Sequence, residues 1–144
     1  MEPNLEGIGG WLILVAIGLG ISPLRSMHGI YVDLHVMYAS QFQEFLSQRP
    51  GVAGLILYEA TTNSIFLIAL AFLNYLFYFK KRNFPLLMIG FLAAQAVLIL
   101  IDDVAAIHYF PRHPPTAAIQ SIVVAALWIP YYLCSSRVKA TFVR

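Results

Sequence analysis

The sequence predicts an all-α fold: a polytopic membrane protein whose four transmembrane helices form one bundle, with both termini in the cytoplasm. Three observations carry this expectation. The 144 residues are 60% hydrophobic and only 11% charged, with a mean hydropathy of +0.74, whereas soluble domains are about 45–50% apolar and about 25% charged. Four apolar runs approach the roughly 20 residues needed to cross a hydrocarbon core at 1.5 Å rise per residue. None of them alternates apolar with polar residues over about 10 positions, as the strands of a membrane barrel do. No internal repeat, low-complexity tract or second domain interrupts residues 1–144, so the chain reads as one domain.

The first helix spans Ile8 to Leu24. Its length would also suit a secretory signal, but the preceding MEPNLEG carries Glu2 and Glu6 and no Lys or Arg, the wrong leader for that role. An outer loop, 25–51, follows. Its YVDLHVMY alternates as a strand would, with Val32, Leu34 and Val36 opposite Asp33 and His35. Met27, Ile30, Leu34, Met37, Phe42 and Phe45 fit an amphipathic helix on the outer leaflet equally well, and periodicity leaves both forms open. The second helix spans Val52 to Phe79. The third, Phe84 to Ile107, is expected to be capped by Asn83 with Pro85 in its first turn. The fourth, Pro115 to Cys134, opens on Pro114 and Pro115, and Pro130 can bend it. Cys134 has no partner for a disulfide and reads as a buried apolar residue.

Basic residues set the orientation. Lys80, Lys81 and Arg82 lie between helices two and three, and Arg137, Lys139 and Arg144 follow helix four, against Arg25, Arg49 and Arg112 on the other side. The positive-inside rule then places both termini in the cytoplasm. Trp11, Tyr75, Phe77, Tyr78, Trp128, Tyr131 and Tyr132 fall near that face as an interfacial belt would. The basic groups Lys80, Lys81, Arg82, Arg137 and Lys139 are candidates for contact with anionic lipid or a partner, at about 1 kcal/mol per charge near the surface. No basic stripe with interleaved aromatics lies outside the spans, so nucleic acid is not an expected partner.

Polar residues inside the spans are the candidate site. Asp102 lies roughly 27 Å along helix three, near the outer edge of a core about 30 Å thick, and Glu59 lies roughly 10 Å into helix two from the same side. Arg25 leaves helix one there, Asn63 is one turn from Glu59, Gln95 is seven residues before Asp102, and Gln120 is about two turns into helix four. A charge facing lipid costs about 2.5–3.5 kcal/mol even on insertion scales, so Arg25, Glu59, Asn63, Gln95, Asp102 and Gln120 are expected to converge inside the bundle. Asp102 and Asp103 point about 100° apart on a helix, which places Asp102 inward and Asp103 toward the headgroups.

Four readings follow. The cluster can be structural, with Arg25 paired to Glu59 or an Asp, amides bridging helices, and Ala16, Gly18, Gly20 and Ser22 letting backbones approach. It can exchange a proton or cation in transport. It can hold a divalent metal through His108 and Asp103, among His28, His35, His113 and Asp33, although the spacing does not converge. Hydrolytic or transfer chemistry has no support, since no nucleophile elbow, HExxH or phosphate loop is present.

The stretches GIGGWLIL, SPL, YEATTN, KKRNFP and, above all, ALWIPYYLCSSRVKATFVR resemble the domain-of-unknown-function family numbered 2569, small bacterial inner-membrane proteins. The resemblance spans nearly the whole chain except the outer loop. Its most specific part is Trp128, Pro130, Tyr131, Ser135, Arg137, Val138, Lys139, Thr141 and Phe142, and it implies a four-helix inner-membrane protein with no assigned activity. In SSRVKATF the same tail reads as a basic amphipathic stretch leaving the membrane, Val138 and Phe142 on one side. The combined expectation is a non-enzymatic accessory, regulatory, or lipid- or partner-binding protein of the bacterial inner membrane, without a cofactor, homo-oligomeric or joined to another membrane protein. The alternative is a small cation- or proton-coupled transport component using Glu59 and Asp102.

Overall fold

The computed structural model describes residues 8–143, so the leader with Glu2 and Glu6, and Arg144, lie outside the described residues. These residues form helices α1 (Trp11–Tyr38), α2 (Ser40–Gln48), α3 (Pro50–Tyr78), α4 (Phe84–Tyr109), α5 (Thr116–Cys134) and α6 (Ser136–Thr141). Four of them, α1, α3, α4 and α5, are long and apolar enough to cross a membrane. In α4 the most apolar stretch has a mean hydropathy of 2.5 yet is only 11% buried within the protein. At about 25 cal/mol per Å² that face is costly in water and needs lipid.

Boundaries of α3, α4 and α5 fall within two residues of those read from the sequence. The first helix differs. It does not stop at Leu24 but continues through Pro23 to Tyr38, so the stretch expected as an outer loop is helical almost throughout and contains no strand. The reason is local. Pro23 has no N–H, which leaves the Leu19 carbonyl without its intrahelical donor. Asn74 of α3 supplies that donor: its side-chain amide reaches the Leu19 carbonyl at 3.0 Å and its own Leu70 carbonyl at 2.9 Å. Ser22 donates its hydroxyl to the Gly18 carbonyl at 2.7 Å in the same turn.

Beyond α1, an extended Ala39 (φ −73°, ψ 147°) breaks the helix. The expected leaflet helix is thus confined to α2, which buries Phe42; Met27, Ile30, Leu34 and Met37 belong to α1. At the opposite end, α3 stops in a paired-carbonyl cap: the Lys80 N–H donates to Phe77 and the Lys81 N–H to Leu76, at 3.1 and 2.9 Å, with Lys80 left-handed at φ 52°. Asn83 occupies the N-cap of α4, but its side chain makes no capping bond; Pro85 sits in the first turn as expected.

The tail is core rather than membrane-surface anchor. Ser135 caps α6 by accepting from the Val138 N–H at 3.3 Å, and Val138 and Phe142 are 1% and 4% exposed. Phe142 packs on Phe84 at a centroid distance of 4.6 Å, and Phe84 packs on Phe77 at 5.2 Å. Phe77 and Tyr132 therefore leave the expected interfacial belt for the interior, while Trp11, Tyr75 and Tyr78 stay on the surface. Cys134 is exposed, not buried.

Neighbours in sequence pack together, α1 on α3, α3 on α4 and α4 on α5. The outermost pair, α1 and α5, do not pack along one another, which leaves a seam. At the α2 end, Asp103 corrects the expectation that it faces headgroups. It is 3% exposed, accepts the Ala118 N–H at 2.7 Å and lies 3.3 Å from His113 Nε2. Pro115, at the N-cap of α5, has no side-chain acceptor, so a carboxylate from the neighbouring helix takes the position an N-cap side chain would occupy, with its charge favourably placed against the helix dipole.

Two stability predictions follow from these contacts. Asn74→Ala should cost about 1–3 kcal/mol by stranding the Leu19 carbonyl. In a Pro23→Ala background, where the backbone donor is restored, the cost should shrink; equal losses in both backgrounds by detergent-phase unfolding would separate the two residues. Asp103→Ala should lower stability by about 1–2 kcal/mol through the lost α5 cap, with a smaller effect for Asp102→Asn in the same unfolding assay.

Candidate functional site

Continuity of α1 brings a polar stripe onto the bundle. Gly29 faces α3 so closely that a Cβ there would lie 2.7 Å from Asn63 Nδ2, and the same amide donates to the Asp33 carboxylate at 3.2 Å. Asp33 is 6% exposed. One turn from Asn63, Glu59 meets the Asp33 side chain and feels the charge of Asp102 on α4. Tyr58 ties α3 to α4 by donating its hydroxyl to the Leu98 carbonyl at 2.9 Å. Gly51 makes the other close approach, under the Tyr109 hydroxyl.

Arg25, Glu59, Asn63, Gln95, Asp102 and Gln120 all line one cavity of about 350 Å³. All four long helices form its wall, over Leu14 to Ser26, Tyr58 to Leu70, Met88 to Asp102 and Ala117 to Tyr132. At 1.5 Å per residue each stretch is roughly 18–22 Å long. That volume lies along that length, so the cavity is elongated and of the scale of a single hydrocarbon chain. Polar groups gather at the α2 end, while Phe66, Leu70, Met88, Leu92 and Trp128 make the other half apolar. The α1 wall includes Leu14, Gly18 and Arg25, all exposed, on a helix that does not pack along α5.

Two side-chain polar atoms are buried without a hydrogen-bond partner among the described residues, Asp102 Oδ1 and the Tyr132 hydroxyl. Both residues line this cavity, at opposite ends. Natural interiors leave few such groups unsatisfied, and both of these belong to residues of the one cavity.

Other expectations resolve differently. Arg25 forms no ion pair with Glu59 or an Asp; among the described residues the ion pair found is His113 with Asp103. Gly18 and Gly20 do not bring backbones together, since a Cβ on either would meet nothing within 4 Å. For a metal, no group of three or more His, Cys, Asp or Glu side chains converges among the described residues: Asp103 is engaged by α5, and His108 packs edge-on against Tyr109 at 5.1 Å. In the basic group, Arg82 and Lys139 are exposed, Lys80 and Lys81 half-exposed, and Arg137 lies over the Gly9 backbone.

Sequence reasoning missed the inward roles of Asp33, Asn74 and Tyr132. For Asp33 a signal existed: Ser22, Ser26, Gly29 and Asp33 recur at helical spacing, visible once the helix is allowed past Pro23. For Asn74 the signal was a lone amide in an apolar run opposite a proline.

No curated protein and no solved structure matches the chain. The model of one family, described as Protein of unknown function (DUF2569), matches residues 5–143, including residues 25–51, which the quoted motifs left out. With the match covering almost the whole of a chain whose four long helices suit a small membrane protein, the chain belongs to the DUF2569 family.

Proposed function

We propose that this protein binds a membrane amphiphile, one hydrocarbon chain of which lies in the cavity, and acts as a non-enzymatic accessory or regulatory protein of the bacterial inner membrane. The shape of the cavity carries the reading: elongated, about 350 Å³, polar at one end and apolar at the other, and walled in part by α1 and α5, which do not pack along one another. A soluble substrate has no use for such a seam in the bilayer, whereas a lipid chain enters it without leaving hydrocarbon. The basic residues at the end bearing the termini support a cytoplasmic location for both termini, and Arg82 and Lys139 there are available to anionic headgroups.

Gly18 supplies the test. Gly18 lines the cavity wall and a Cβ there would meet nothing within 4 Å, so Gly18→Trp should fill the cavity from a position that tolerates a side chain, with a gain of roughly a few tenths of a kcal/mol in helix propensity over glycine. The expected result is loss of co-purifying phospholipid to detergent background in native mass spectra, with melting temperature unchanged or raised. Undiminished lipid on a folded variant would remove the reading, and so would a shift of oligomeric state alone, which would mean the seam is closed by a second copy.

Cation- or proton-coupled transport is the second reading, favoured by the meeting of Asp33, Glu59 and Asp102 from three helices. It predicts dissipation of a pH or cation gradient in reconstituted vesicles that falls at least about tenfold in Glu59→Gln/Asp102→Asn, the weight of one charged interaction near 1.4 kcal/mol. Wild-type vesicles as tight as empty ones would dismiss it.

A further inference from the structure

We propose that the polar end of the cavity selects a phospholipid whose head carries a primary ammonium beside its phosphate. The inference rests on the amphiphile reading and names its ligand class. A lipid tail passing from bilayer into protein gains little hydrophobic free energy, because lipid is as apolar as leucine. Retention of one lipid over its neighbours therefore has to come from the head.

The groups around that end are specific in kind. Asp102 lines this end with a carboxylate, one oxygen of which has no partner among the described residues, and Glu59, Gln95 and Gln120 line the same space. Carboxylates and side-chain amide carbonyls are acceptors, and a primary ammonium brings three N–H donors to them. Arg25 lines the cavity from α1, is exposed at the seam, and makes no ion pair among the described residues. Its guanidinium is a planar fork suited to phosphate oxygens. Carboxylates deep in the cavity and a guanidinium at its edge match the order of charges in an aminophospholipid head lying across the seam.

Two competing heads fit poorly. A quaternary ammonium has no N–H to donate and is held by a cage of aromatic faces; at this end of the cavity Tyr58 is a single aromatic and makes no cage. A head with phosphate and no cation leaves Glu59 and Asp102 facing net negative charge. Tyr132, at the other end of the cavity, lies beyond reach of the head and takes no part in the selection.

The experiment offers the delipidated full-length protein an equimolar mixture of phosphatidylethanolamine, its N-methyl and N,N-dimethyl forms, phosphatidylcholine and phosphatidylglycerol, all with the same acyl chains. Retained lipid is read by native mass spectrometry. Retention should fall stepwise as methyl groups replace N–H donors, with at least about tenfold between the ethanolamine and choline heads, the weight of one charge-assisted hydrogen bond. Glu59→Gln/Asp102→Asn should level the series. Arg25→Gln should reduce retention of every phospholipid, and Glu44→Gln, an exposed acid on α2 outside the cavity, should change nothing. The methylation series is read on the wild-type protein, so it stands even where the double variant does not fold. Equal retention of all heads, with retention still abolished by Gly18→Trp, would overturn head selection and leave the amphiphile reading intact. Preference for phosphatidylglycerol would overturn it as well. Retention indifferent to Gly18→Trp would instead remove the amphiphile reading itself.

Discussion

A backbone carbonyl inside a bilayer has no water to turn to, and the Leu19 carbonyl is the one this fold is arranged around. Pro23 takes away its helical donor, and Asn74 returns one from the neighbouring helix at 3.0 Å. Without that bond the natural outcome at Ser22-Pro23 is the end of a helix. With it, α1 runs on to Tyr38 and carries Arg25, Ser26, Gly29 and Asp33 along the bundle in register. The polar wall that α1 contributes to the cavity and the Asp33–Asn63 bond both depend on this continuity.

The second organising feature is what small residues do here. In membrane bundles glycine commonly lets helices touch, and Gly29 and Gly51 do so against Asn63 and Tyr109. Gly18 does the reverse. It lines the cavity wall, and a Cβ there would meet nothing within 4 Å. The same residue type marks contact in one place and clearance a few turns away, and only the position of the partner helix separates the two. No helix packs closely on Gly18, which makes it a clearance residue.

That distinction explains how much could be read in advance. The membrane class, the four helices and the gathering of Arg25, Glu59, Asn63, Gln95, Asp102 and Gln120 along one cavity were legible because burial in lipid leaves so few choices for a polar side chain, although Arg25 and Gln120 stay exposed. Compensations between helices were not legible. A proline reads as a stop until its repair by Asn74 is seen. Asp103 reads as an interfacial residue until the α5 N-terminus is brought to its carboxylate, at 2.7 Å from the Ala118 N–H. The tail reads as a surface stretch until Phe77 and Phe84 are found waiting for Phe142. Each miss is a pairwise tertiary contact with no periodic signature in one chain.

Stability and function then divide the acids between them. Asp103 and Asp33 are the more buried pair and both have protein donors, from Ala118 and Asn63; they hold α5 to α4 and α1 to α3. Glu59 and Asp102 are less buried and line the cavity, Asp102 with an oxygen that no protein group meets. A carboxylate kept only for architecture at membrane depth would be expected to carry its donors with it, because an unsatisfied polar group there costs several kcal/mol. Donors from Ala118 and Asn63 place the architectural load on Asp103 and Asp33, while Glu59 and Asp102, the first of them also joined to Asp33, line the cavity between the helices.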